Sequence, residues 1–173
     1  GDPSQKLKLV GVTGTNGKTT TAFLVHSILS HQKPALMMGT MGTHLAGKSW
    51  VSERTTGESI DVQRILGEAV EARCVQGVLE VSSHALVLNR VYHCHVPVAI
   101  FTNLSQDHLD FHQNWNEYFQ SKCLLFQNSY NPGLTHAVLN YDDPMSREVQ
   151  PDGQILTFGM SQGADLWPFR RKT

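Results

Sequence analysis

Segment 8–21, KLVGVTGTNGKTTT, has the ingredients of a phosphate-binding loop without its usual spacing. The common P-loop pattern is glycine, four residues, then Gly-Lys-Ser/Thr, and counting back from Gly17 reaches Val12 where that pattern has glycine. The loop is therefore a shorter one, Gly14, Thr15, Asn16, Gly17, Lys18, Thr19. Placed between a strand and a helix, its backbone N–H groups and the helix N-terminus converge where an anionic phosphate would sit. Lys18 supplies a point charge for the outer phosphates, and the Thr19 hydroxyl suits the shell of a magnesium ion that keeps most of its waters. The competing reading is an ordinary glycine turn before a helix.

Three further stretches carry reactive types. Glu80 sits in the apolar run GVLEV, where a buried acid needs a partner, and a magnesium-nucleotide site needs a carboxylate facing the loop. The serines and histidine that follow, Ser82, Ser83 and His84, contact a substrate or cap a helix, and capping is the reading favoured by this stretch alone. TNLSQDHLDFH, residues 102–112, puts two histidines and two aspartates after an apolar run. His108 is the candidate metal ligand there, while Asp110 and His112 read equally well as solvated helix-capping groups. Finally, Lys122 follows Trp115, Tyr118 and Phe119 by seven, four and three residues and so takes a core slot on an aromatic stripe that continues to Phe126. In one reading its stem packs and its amine snorkels to water. In the other, burial favours the neutral amine, which can take up carbon dioxide as a carbamate and become an anionic metal ligand. The residues alone leave both open.

These groups need a scaffold, and short apolar runs alternating with amphipathic stretches predict α/β: a mostly parallel sheet flanked by helices. Residues 7–12 read as the first strand, and 19–30 as a helix with Ala22, Leu24, Val25, Ile28 and Leu29 at helical spacing. A second strand is predicted over 35–38, then a hairpin turning at 46–48. After Thr55-Thr56-Gly57 comes a helix with the core-facing stripe Val62, Ile65, Leu66, Ala69 and Val70. Further strands are predicted over 77–81, 96–101, 137–140 and 154–158, with a helix from about 114 to 127.

Bulk properties exclude other classes. The 173 residues suit one domain with a real core. With 14 Lys and Arg against 15 Asp and Glu there is no basic stripe, so no nucleic-acid partner is expected. Cys74, Cys94 and Cys123 are odd in number and lack CxxC spacing, which fits a reduced, cytoplasmic protein. No apolar run has the length of a membrane span. A monomer is expected.

GVTGTNGKTTT, RTTGES, EVSSHAL with Arg90 six residues after its histidine, TNLSQDHLDFH and YFQSKCLLF, in that order, resemble the central ATPase domain of the Mur ligases. Within that family the similarity is greatest to members adding the third residue to UDP-N-acetylmuramoyl-L-alanyl-D-glutamate. The family has a P-loop NTPase-like central domain and uses the shorter loop found here. The resemblance implies ATP and two magnesium sites. Gly14, Thr15, Asn16, Gly17, Lys18, Thr19 and Thr20 would hold the phosphates, with Lys18, His108 and Lys122 catalytic. Thr19 and Glu80 would bind one magnesium, and His108 with carbamylated Lys122 the second. Thr55, Thr56, Ser82 and Arg90 would contact the muramyl peptide. The implied reaction activates the D-Glu carboxylate as an acyl phosphate for attack by an incoming amine, with meso-diaminopimelate and L-lysine the two candidates and RTTGES and EVSSHALV leaning to the former. Residues 1–173 would then be the central domain only, a fragment inactive by itself, lacking the uridine-binding domain before it and the amino-acid-binding domain after it. Folylpolyglutamate and cyanophycin ligases share the loop, but TTGES and LSQDHLDFH are closer to the muramyl enzymes. A simple P-loop kinase gives the SSH and Lys122 motifs no task, and a non-catalytic nucleotide-binding module is the remaining alternative.

Overall fold

A computed structural model describes residues 2–105, 112 and 114–168. The elements in chain order are β1 (Lys8–Thr13), α1 (Lys18–Gln32), β2 (Ala35–Gly39), β3 (Gly42–Leu45), β4 (Lys48–Trp50), α2 (Ser59–Glu71) and β5 (Gln76–Glu80). Then follow α3 (Ser83–Val87), β6 (Val98–Phe101), α4 (Trp115–Cys123), β7 (His136–Asn140), α5 (Pro144–Arg147) and β8 (Gln154–Phe158). The eight strands form one sheet in the order β4-β3-β2-β5-β1-β6-β7-β8. From β2 to β8 all neighbours are parallel. β3 and β4 fold back antiparallel beside β2, and Ala46 and Gly47, both at positive φ, make the tight turn expected there.

β1 lies between β5 and β6; the connection from β1 runs to β2 on one side, and that from β5 runs back past β1 to β6 on the other. That reversal opens a crevice at the carboxyl ends of the central strands, where doubly wound sheets bind ligands. The ends of β1, β2, β5 and β6 bring Gly14, Thr40, Glu80 and Thr102 to this edge.

The larger core lies on one face of the sheet, under α2 and α4. Val62, Ile65, Leu66 and Ala69 of α2 are buried as their spacing requires and Val70 packs at the margin. Burying each of the larger side chains contributes on the order of 1.5–3 kcal/mol. The opposite face is thinner, with Ala22 of α1 packed on Val12, Met37 and Val78. Here the sequence expectation is corrected: Leu24 and Ile28 are 62% and 66% exposed, because α1 meets the sheet along a narrow line through Ala22 and Val25. α4 ends at Cys123 and passes into a 3-10 turn, Leu124–Phe126, so the expected helix to 127 tightens in its last turn. No helix among the described residues is long and apolar enough to cross a membrane.

Candidate nucleotide and acceptor site

The loop after β1 is held from the side by the segment after β6. Asn103 O accepts from Thr15 N at 2.8 Å, and Thr15 Oγ1 accepts from Ser105 N at 3.0 Å. The carbonyl of Asn16 takes Thr102 Oγ1 at 2.7 Å and Asn103 Nδ2 at 2.9 Å, while Asn16 N donates to Asn103 Oδ1 at 3.1 Å. Gly14 has φ +138°, and a Cβ there would stand 2.0 Å from Thr102 Oγ1, so only glycine lets the loop pass this close. Gly17 is the N-cap of α1, and no side chain caps the helix. The first-turn N–H groups of Lys18, Thr19 and Thr20 therefore face the crevice, an arrangement suited to a phosphate. Lys18 Nζ donates to the carbonyls of Gly14 and Thr15 at 3.0 and 2.8 Å, within the hollow of its own loop.

Glu80 is the hub of the site. Its side chain is 1% exposed at the end of β5, and the carboxylate accepts from Thr19 Oγ1 at 2.9 Å, Thr40 N at 3.0 Å and Thr40 Oγ1 at 3.2 Å. The backbone of β2 comes so near that a Cβ on Gly39 would lie 2.1 Å from Glu80 Oε1. Hydroxyl and carboxylate oxygens suit a hard cation such as magnesium, which completes its shell with phosphate oxygens and water. Among the described residues no cluster of three His, Cys, Asp or Glu offers an alternative. The residues thus fit the group expected from the sequence.

A cleft of about 380 Å³ adjoins the loop, and its lining unites Lys18 and Lys122 with Thr55, Thr56, Ser82 and Arg90. Larger hollows of about 550 and 650 Å³ lie at the amino ends of the strands, away from the loop. Thr56 Oγ1 donates to the carbonyl of Glu80 at 2.8 Å and accepts from Ser82 N at 3.1 Å, which ties the segment before α2 to the end of β5. Ser82 caps α3 by accepting from Ala85 N at 3.1 Å, the role favoured by the sequence, and it also lines the cleft. Arg90 donates to Thr56 O at 3.2 Å and pairs with Glu58 at 2.9 Å, and Glu58 also pairs with Arg54. Burial and then the charge of Arg54 hold the Arg90 guanidinium below its usual value. Lys18, Arg54, Arg90 and Lys122 outnumber Glu53 in the lining, a charge balance that favours a polyanionic ligand.

Lys122 is 1% exposed, so the snorkelling reading fails. Its amine donates to Gly14 O at 2.9 Å and lies 4.4 Å from the centre of the Tyr118 ring. Tyr118, Phe119 and Phe126 are buried with it, whereas Trp115 at the start of α4 is partly exposed. His112 is also corrected. It is a buried group, bonded to Ser83 Oγ at 2.9 Å and packed between the rings of His84 and Tyr118, and the cap of α4 is Asn114. His108 and Asp110 lie outside the described residues. Sequence reasoning missed Thr40 and the loop-holding roles of Thr102, Asn103 and Ser105. Their signal was position after a buried strand, and residue type gave none.

Residues 12–172 match the family described as the Mur ligase middle domain. The chain belongs to this family. Among relatives of the Mur ligase chain is the UDP-N-acetylmuramoyl-L-alanyl-D-glutamate–2,6-diaminopimelate ligase of Gloeobacter violaceus, 46% identical over 167 residues, which are 96% of this chain and 34% of that protein. A solved structure of a ligase of the same name superposes with a TM-score of 0.81 at 32% identity, covering 92% of this chain and 33% of that one. Mycobacterium tuberculosis folylpolyglutamate synthase shares the fold alone, with a TM-score of 0.67 at 16% identity over 90% of this chain and 44% of its own. The Mur ligase chain thus spans about a third of the length of the curated relatives it matches.

Proposed function

We propose that this chain is the nucleotide-binding module of a cytoplasmic, ATP-dependent ligase that joins 2,6-diaminopimelate to UDP-N-acetylmuramoyl-L-alanyl-D-glutamate in peptidoglycan precursor synthesis. The names of relatives 40–46% identical to it support the substrates. The observation that carries the reading is the single cleft in which the phosphate-loop lysine, Lys18, meets Thr55, Thr56, Ser82 and Arg90. A carboxylate held by those residues lies beside the phosphates held by Gly14 to Thr20. A carboxylate oxygen of D-Glu displaces ADP from the γ-phosphorus. The incoming amine then attacks the acyl carbon, inorganic phosphate leaves, and the amine loses a proton as the amide forms. Donor and acceptor are both anionic, so the work of the site is to position them and offset their repulsion. Lys18, Arg90 and the helix N-terminus supply fixed positive potential. Magnesium, held by Thr19 and Glu80 and at a second place by His108 and carbamylated Lys122, would neutralise the phosphoryl oxygens.

The test is acceptor dependence. The ligase carrying this domain is expected to release phosphate from ATP when UDP-muramoyl-dipeptide is present, and release that ignores the acceptor overturns the reading in favour of a simple NTPase. Glu80→Gln preserves size and removes the charge. It is expected to shift the magnesium dependence of turnover upward by at least tenfold, the loss of a charge-assisted interaction, and wild-type activity at limiting magnesium would exclude Glu80 as a ligand. The 173-residue chain by itself is expected to fold and to form no amide with any amino acid. Magnesium-ATP should bind it more weakly than it binds the whole ligase, since fewer contacts order the nucleotide. Chromatographic detection of ligated product from the isolated chain would refute this.

A further inference from the structure

One side chain assigned to neither ligand links the phosphate-loop side of Glu80 to the cleft. Thr40 is the first residue after β2, its N–H donates to Glu80 Oε1 at 3.0 Å, and its hydroxyl donates to Glu80 Oε2 at 3.2 Å. The same hydroxyl lies 3.0 Å from Thr55 Oγ1, on the acceptor side. Thr19, on the phosphate side, donates to the same Oε2 at 2.9 Å. A path of three hydrogen bonds thus runs from Thr19 through Glu80 and Thr40 to Thr55.

The direction of these bonds has a chemical consequence. A hydroxyl has one proton to give, and an ionised carboxylate only accepts. With the Thr40 proton committed to Glu80, the Thr40–Thr55 contact requires the Thr55 hydroxyl to donate. Thr55 is half-buried and lines the cleft, so what it offers a ligand is a lone pair. We propose that Thr40 is a positioning residue that couples the cation-binding carboxylate Glu80 to Thr55, and that it orients Thr55 to accept a hydrogen bond from an N–H or O–H of the acceptor substrate. This rests on the reading of the cleft given under the proposed function. The close approach of Gly39 to Glu80 presses the carboxylate against the end of β2, which keeps it within reach of both Thr40 groups.

Two variants of the ligase carrying this domain test the coupling. Thr40→Val keeps the shape and the backbone N–H and deletes the hydroxyl, while Thr40→Ser keeps the hydroxyl. Manganese binding in the presence of ADP, followed by electron paramagnetic resonance, reads the Glu80 end, and the KM for UDP-muramoyl-dipeptide reads the Thr55 end. Thr40→Val is expected to weaken both on the order of tenfold, the range for a hydrogen bond to a charged group, with Thr40→Ser near wild type in both. In the wild type, the dipeptide should also tighten manganese binding, and that reciprocity should vanish in Thr40→Val. A variant that loses only thermal stability, or changes at one end alone, overturns the coupling. A wild-type ligase that binds neither manganese-ADP nor the dipeptide overturns the underlying reading as well, which separates the two failures.

Discussion

Lys18→Ala is expected to lower ATP turnover by the ligase carrying this domain about 10²–10³-fold, the range for deleting one fixed donor aimed at developing charge. The geometry gives the reason for so large an effect. Lys18 opens α1, where uncapped N–H groups already favour an anion, and its ammonium stands in the hollow of the loop at 2.8–3.0 Å from two carbonyls. The nearby loop carbonyls oppose a phosphate, and the lysine charge offsets them beside the N–H groups. The cost to folding should be small, because Lys18 is only half-buried and the loop is held instead by Thr15, Asn16, Thr102 and Asn103. Thermal unfolding within a few degrees of wild type, together with lost turnover and weakened magnesium-ATP binding by calorimetry, is the expected pattern. Unchanged turnover would remove Lys18 from the nucleotide site.

Lys122→Ala is expected to lose most activity and to regain part of it when small carboxylic acids such as formate or acetate are added. We propose that the functional group at this position is a carbamate. Carbamylation joins carbon dioxide to the neutral amine and releases a proton, leaving an N–H that can still donate to Gly14 O and a new carboxylate that can reach the cleft lined by Lys122. Taking an ammonium out of water is costly, whereas an anion next to a magnesium ion is compensated. Depleting bicarbonate should therefore reduce the activity of the wild type and restoring it should bring the activity back. Because a buried lysine also fills space, Lys122→Met controls for packing: it should remain folded, stay inactive and resist rescue, since its side chain blocks the added acid. Failure of every short acid to rescue Lys122→Ala, with no effect of bicarbonate on the wild type, would count against the carbamate.

The loop at 14–20, Glu80 and Lys122 were legible from the chain alone because each breaks a local rule. Glycines and a lysine open a helix without a cap, a carboxylate interrupts an apolar strand, and a lysine takes a slot on an aromatic stripe. Strand and helix types were legible too, since short apolar runs and a period of 3.6 are local. What tertiary structure decided is what lies opposite what. Thr19 meets Glu80 across 61 residues, Asn16 meets Asn103 across 87, and Lys122 reaches Gly14 across 108. Those pairings follow from the order β2-β5-β1-β6, which no local pattern encodes. The outward turn of Leu24 and Ile28 and the burial of His112 against Ser83 were hidden for the same reason. An apolar or titratable side chain carries no mark of whether a neighbouring element will cover it. Thr40 is the sharpest instance: as a residue type it is an ordinary polar strand end, and only the packing of β2 beside β5 sets its hydroxyl between a buried carboxylate and the acceptor cleft.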